Sequence, residues 1–193
     1  MRGPGFEAAG GFGVNDTETS ILSATLDILR TKGPAAVNVE AVALASGLAK
    51  TTIYRRFENR KALLEAAILS VVLNPVPPPD TSVEDQLRWV IGQTHDGVEN
   101  ILGSGGVSAI VANQDAQFMM LIREMLVPWV ELVRAVLERG VATGSLRADI
   151  DVEVALHFIL GSSLGEFIRT GTMSADWTER VFGMLWSSVR PEA

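Results

Sequence analysis

The sequence predicts an all-α protein of about nine helices arranged in two regions. Three observations carry this. Apolar residues recur at three- and four-residue spacing from residue 17 onward, and no stretch keeps the period-two, β-branched pattern of a strand for long. Helix-ending residues stand where those periods stop, at Lys32-Gly33-Pro34 and at Gly47. Pro75, Pro77, Pro78 and Pro79 fall together in a segment that neither a helix nor a central strand tolerates, so a connection divides the chain there.

Taken in order, residues 1–16 contain five glycines and no apolar period, and are expected to form a disordered arm. The first helix begins at Thr17, gathers Ile21, Leu22, Thr25, Leu26 and Leu29 on one face, and ends at Lys32-Gly33-Pro34. Asn38 offers a side-chain oxygen to the amides that open the second helix, which carries Val39, Val42, Ala43 and Ser46 and stops at Gly47. A short third helix presents Ile53, Tyr54 and Phe57. Asn59 caps a fourth, striped by Leu63, Leu64, Ala67, Ile68 and Val71, which stops at Asn74-Pro75. Residues 17–72 thus form one unit and 73–193 another. In the second unit a helix is expected over 82–101, a break at Gly103-Ser104-Gly105-Gly106, a short helix near 107–113 and a long one from about 116 to 142. Pro128 should kink or divide the long helix, because its ring has no amide to donate and clashes with the preceding turn. Two last helices follow, at about 151–170 and 174–190.

Composition narrows the function. At 193 residues and 47% hydrophobic, the chain can bury a sizeable core. The absence of cysteine excludes disulfides, iron–sulfur clusters, thiolate zinc sites and a cysteine nucleophile. No metal site or cofactor is expected. No apolar run approaches the roughly 18 residues that cross a bilayer, and Met1-Arg2-Gly3-Pro4-Gly5 lacks the features of a signal peptide, so a soluble, cytoplasmic protein with no membrane partner is expected. The net charge of −7 hides an asymmetry. Residues 1–72 carry eight Lys and Arg against seven Asp and Glu, whereas 73–193 carry eight against sixteen. Residues 50–61 alone hold Lys50, Arg55, Arg56, Arg60 and Lys61 against Glu58. A short basic surface therefore sits on an acidic body, the footprint of a nucleic-acid contact.

The second helix, the turn through Gly47 and the basic third helix have the form of a helix-turn-helix, whose second helix enters the major groove. The same spacing also serves a corner packed in a core. Chemistry separates the two: Lys50, Thr51, Thr52, Arg55 and Arg56 are polar, while Ile53 and Phe57 point the other way. The run from Asn38 to Leu64 resembles the DNA-binding domain of the tetracycline-repressor (TetR) family. It combines Val39-x-x-Val42-Ala43-x-x-Ser46-Gly47 with Thr52-Ile53-Tyr54-x-x-Phe57 and a cation before Leu63-Leu64. The resemblance covers about residues 17–72. It implies an N-terminal three-helix helix-turn-helix DNA-binding domain, a divergent C-terminal helical ligand-binding and dimerisation domain, and a dimeric transcriptional regulator, most often a repressor.

Carried over residue by residue, the resemblance makes Lys50, Thr51 and Arg55 readers of base edges, Lys and Arg being suited to guanine O6 and N7. Asn38, Thr52, Tyr54, Arg56 and Arg60 would hold phosphates, which fixes register and adds little sequence information. Asn38 stands where the family usually has Thr, and Arg60 where it usually has Lys; each keeps a donor or a charge. Implied partners are a double-stranded operator, a small-molecule effector and a second copy of the chain.

The helix expected at 151–170 is apolar nearly all round, which one monomer's core rarely covers. A homodimer through the last two helices, forming a four-helix bundle, is therefore expected. Leu160, Leu164 and Ile168 would meet the partner, Gly161 and Gly165 would admit its backbone, and Val181, Leu185 and Trp186 would complete the face. The candidate effector pocket comprises Trp89, Gln93, His95, Phe118, Met119, Trp129 and His157, and suits an apolar or aromatic ligand. Those side chains could equally fill a tight core.

Two motifs fail on context. Gly161-x-Ser163-x-Gly165 matches a hydrolase nucleophile elbow, but it lies in a helical period and both histidines, His95 and His157, precede it. Gly47-Leu48-Ala49-Lys50-Thr51 resembles the end of a phosphate-binding loop without its leading glycine or its strand. The expectation is a ligand-responsive repressor and not an enzyme. The rival is a helical ligand-binding or protein-interaction dimer that does not read DNA.

Overall fold

A computed structural model describes residues 16–71, 77–78 and 80–191. Among them are nine α-helices: α1 (Asp16–Lys32), α2 (Val39–Ser46), α3 (Lys50–Tyr54), α4 (Arg60–Leu69), α5 (Val83–Gly97), α6 (Gly103–Ala112), α7 (Ala116–Ala142), α8 (Val152–Thr170) and α9 (Trp177–Val189). No strand occurs among the described residues. Apart from Asp16, which opens α1, the arm expected over residues 1–16 lies outside them, as does the stop at Asn74-Pro75; α4 ends earlier, at Leu69.

Local chemistry sets most helix ends. Asp16 and Glu18 lie in the first turn of α1 and Arg30 and Lys32 in its last, each sign matching the helix dipole. Gly33, at φ 83°, takes the chain out of α1 in a conformation that a Cβ would strain. The side chains of Asn38, Asn59, Ser82, Asp115 and Asp151 accept hydrogen bonds from amides in the first turns of α2, α4, α5, α7 and α8. A π-helical stretch, Val98–Leu102, joins α5 to α6.

The glycines at 103, 105 and 106 do not break the chain; they begin α6. A Cβ at Gly105 would stand 2.2 Å from the Gly33 amide nitrogen and 2.4 Å from the Leu29 carbonyl oxygen, and one at Gly103 would stand 2.7 Å from the Arg30 oxygen. Glycine is used here because α6 lays its first turn directly on the last turn of α1. Pro128 does not divide α7 either, since the helix is continuous from Ala116 to Ala142. Pro128 and Glu124 are both exposed, so water can satisfy the Glu124 carbonyl that the missing amide leaves free.

The apolar faces collect into two cores. Ile21, Leu29, Ile53, Leu63, Leu64 and Ile68 are fully buried in the first, with Phe57 beside them. Phe118, Leu121 and Ile122, from the opening turns of α7, are buried in this same core. The second is built on Leu87 and Ile91 of α5, Val133 and Leu137 of α7, Ile159 of α8 and Phe182 of α9. A single helix is thus embedded in both cores, and Pro128 falls between the two buried stretches.

Candidate nucleic-acid interface

The interface is presented by α2, the left-handed Gly47 (φ 72°) and α3. Ile53 and Phe57 anchor α3 in the first core, and Val39 and Val42 anchor α2. With one side of a five-residue helix committed inward, its remaining side chains face out. Lys50, Thr51 and Arg55 are exposed, Thr52 and Arg56 half-buried. Tyr54 is 55% exposed, so its ring is not held between helices. The geometry brings all six polar positions onto one short segment that also carries the densest positive charge in the chain.

Two cations differ from a simple solvent-facing picture. Lys50 Nζ donates to Glu40 Oε1 at 2.9 Å, linking α3 to the first turn of α2. Arg60, expected at a phosphate, turns instead toward the base of α7: it donates to Asp115 Oδ2 at 2.5 Å, Gln117 Oε1 at 3.4 Å and the Pro34 carbonyl at 3.2 Å. The sequence pattern shows a cation at this position but not the acid across the fold that claims it. Burial pushes the Asp115 carboxyl up, but the Phe118 amide and the Arg60 guanidinium outweigh it and hold the group below the usual aspartate range. Asn38 Oδ1 accepts from the Ala41 amide at 2.8 Å, so this side chain is engaged as a helix cap. Arg56 keeps a buried guanidinium nitrogen without a hydrogen-bond partner among the described residues.

The seven residues expected at a ligand pocket are not all brought together. Trp89 and Trp129 are half-buried against the second core, and Gln93 and His95 are half-buried on α5. The His95 ring lies 6.3 Å from that of Trp177, and His95 Nε2 and Trp129 Nε1 are buried without partners among the described residues. Phe118 belongs to the first core, with half-buried Met119 beside it on α7, and His157 is exposed on α8. Helical periodicity marks a side chain as inward-facing without saying which core receives it.

On the expected dimer face, Gly161 and Gly165 are exposed, with nothing among the described residues within 4 Å of an added Cβ, and Ile168 is 62% exposed. Leu160, Leu164 and Trp186 are half-buried, whereas Val181 and Leu185 are buried in the chain's own second core. Sequence reasoning missed Met184, which is 63% exposed on α9, and a groove of about 330 Å³ between α8 and α9 lined by Phe158, Ser162, Trp177, Arg180 and Met184 among others. Ser163 is buried within α8 and donates to the Leu160 carbonyl at 2.8 Å, which is no nucleophile elbow. No helix among the described residues is long and apolar enough to cross a membrane.

Comparison with known proteins agrees with this geometry. Residues 21–67 match a family described as bacterial regulatory proteins, tetR family, and residues 77–185 match the tetracyclin repressor-like C-terminal domain. The chain is 28% identical over 164 residues to YdeS of Bacillus subtilis (strain 168), an uncharacterized HTH-type transcriptional regulator, covering 80% of each. It is 22% identical over 158 residues to the transcriptional repressor KstR2 of Rhodococcus jostii (strain RHA1), covering 76% of each. A TetR-family regulator from Rhodococcus sp. shares the fold at TM-score 0.70 and 19% identity, over 91% of this chain and 99% of that one. FadR of Bacillus subtilis, solved with stearoyl-CoA, does so at TM-score 0.66 and 16% identity, over 89% and 99%. With an exposed cationic helix following the turn at Gly47 and family matches spanning both regions, the chain belongs to the TetR family of DNA-binding transcriptional regulators.

Proposed function

We propose that this regulator is a repressor that binds a palindromic operator as a homodimer and leaves it when a small, apolar or aromatic effector binds its C-terminal region. The observation that carries this reading is the outward presentation of Lys50, Thr51 and Arg55 on a helix anchored from behind by Ile53 and Phe57. Lys50 and Arg55 would read guanine edges, with Thr51 between them. Thr52, Tyr54 and Arg56 would position the phosphates, joined by exposed Asn38, whose Nδ2 has a second hydrogen to donate besides the one directed at the Ala36 carbonyl, 3.5 Å away. Arg60 would join them at the start of α4, with a guanidinium that Asp115 holds in the free protein.

Two copies would associate through the exposed faces of α8 and α9, where Gly161, Gly165 and Ile168 leave room for a partner. The paired reading helices would then meet half-sites about one helical turn, 34 to 36 Å, apart. KstR2, a relative, is a repressor, which favours repression, and FadR, a structural neighbour, was solved with stearoyl-CoA, whose acyl chain favours an effector with an apolar part. Trp89 and Trp129, which pack against the second core, and Gln93 and His95 of α5 are the proposed contacts, since buried Nε2 of His95 and Nε1 of Trp129 are without partners among the described residues. An effector there would act on the same α7 whose first turns are packed into the DNA-binding core. Lowering operator affinity a thousandfold requires about 4 kcal/mol of differential effector binding between the two states.

The test is selection of duplexes from random-sequence DNA by the purified protein, followed by titration of the recovered fragment with candidate effectors. A recovered palindrome released by an apolar compound supports the reading. Failure to enrich any sequence would favour the rival, a ligand-binding or protein-interaction dimer without specific DNA contact.

A further inference from the structure

The Glu40 carboxylate is out of place on a surface that meets a polyanion. It sits on the first turn of α2, 60% exposed, with Oε1 2.9 Å from the ammonium of 54%-exposed Lys50. No burial forces the two together. Hydrogen bonding to Lys50 holds the Glu40 carboxyl below the usual glutamate range, so at neutral pH it carries a full negative charge. An acid in a first turn favours the helix dipole. That role would not need Lys50, which reaches Glu40 from a different helix.

We propose that Glu40 is a positioning residue for DNA selectivity: it aims the Lys50 ammonium at base edges and keeps it off phosphates. The proposal rests on Lys50 being a base reader. An ammonium has three donors, so Lys50 can keep Glu40 on one and offer the others to guanine O6 and N7. A phosphate approaching the same ammonium from the backbone side meets the Glu40 charge as well. Non-specific binding is almost wholly cation–phosphate attraction, so it suffers more from this acid than operator binding does.

The experiment compares wild type, Glu40→Gln, Lys50→Ala and the double variant on two duplexes: the fragment recovered by selection and a scrambled duplex of the same length and composition. Affinities are measured between about 50 and 200 mM salt. Glu40→Gln is expected to raise affinity for the scrambled duplex about threefold to tenfold and to steepen its salt slope by about one unit. Operator affinity changes less, so the specificity ratio falls. In the Lys50→Ala background the change in ratio shrinks to less than half. An unchanged ratio and slope, with only a shifted unfolding midpoint, overturns the proposal and leaves Glu40 as a helix-dipole residue. A ratio change as large without Lys50 overturns it too, since the acid would then act alone. If Lys50→Ala alone alters neither operator affinity nor base preference, the base-reader assignment is what fails.

Discussion

Replacing Asp115 tests how the two cores are joined. Its carboxylate does two things: Oδ1 accepts from the Phe118 amide at 2.9 Å and caps α7, and Oδ2 pairs with Arg60 of α4. Losing the cap costs about 1 kcal/mol. The ion pair lies between the surface and buried limits, its side chains being 28% and 20% exposed, and should contribute about 1 kcal/mol more. Asp115→Ala is therefore expected to destabilise the protein by about 2 kcal/mol, lowering the midpoint of thermal unfolding by roughly 4–8 °C for a chain of this size. Asp115→Asn keeps a competent cap and removes the charge, so it should cost only the ion-pair share. A double-mutant cycle of Asp115→Asn with Arg60→Met isolates that share as about 1 kcal/mol of coupling at pH 7. Because folding lowers the Asp115 pKa, this stabilisation is fully present above the unfolded-state value and lost as pH falls through the lower folded value. Urea unfolding at pH 7 and under acid conditions reads both effects. Additivity of the two changes within about 0.3 kcal/mol at pH 7 would refute the claim that this pair fastens α4 to α7.

Other substitutions address other parts of the fold. Arg55→Ala should weaken operator binding by about 1–3 kcal/mol and relax preference at one base position, whereas Tyr54→Phe should weaken binding alike on all sequences; binding to a panel of single-base operator variants separates them. Gly105→Ala forces a methyl group onto the backbone of Gly33 and Leu29 and should cost at least about 1–3 kcal/mol in urea unfolding, the reverse of the gain that alanine normally brings inside a helix. Gly161→Phe, at a position with open space around it, should leave monomer folding intact by circular dichroism and shift sedimentation toward the monomer.

The helices and the outward-facing polar side of α3 were legible because their signals are local. The 3.6-residue apolar period, the caps Asn38 and Asn59 and the αL glycine at 47 each act within a few residues, and the structure places all of them in those roles. Features that depend on distant parts of the chain were not legible. Gly103 to Gly106 looks like a break until α1 is laid against it, when the same glycines become the condition for close packing. Arg60 resembles a phosphate ligand by position, yet Asp115, fifty-five residues on, takes its guanidinium. Phe118 reads as one more aromatic of the C-terminal region, and only the fold shows it buried beneath the DNA-binding helices. Val181 and Leu185 share the periodicity of an interface stripe but lie on the side of α9 that faces its own core.

The central claim is that an acidic protein presents a small cationic surface, twice over, to a specific duplex. Measuring affinity for the selected fragment as a function of salt, with complex stoichiometry from sedimentation, tests it most directly. Two chains per palindromic site are predicted, with log affinity falling linearly in log salt at a slope of about −0.9 for each phosphate neutralised, several in all. A salt-independent affinity, or one chain bound to a site without symmetry, would contradict it.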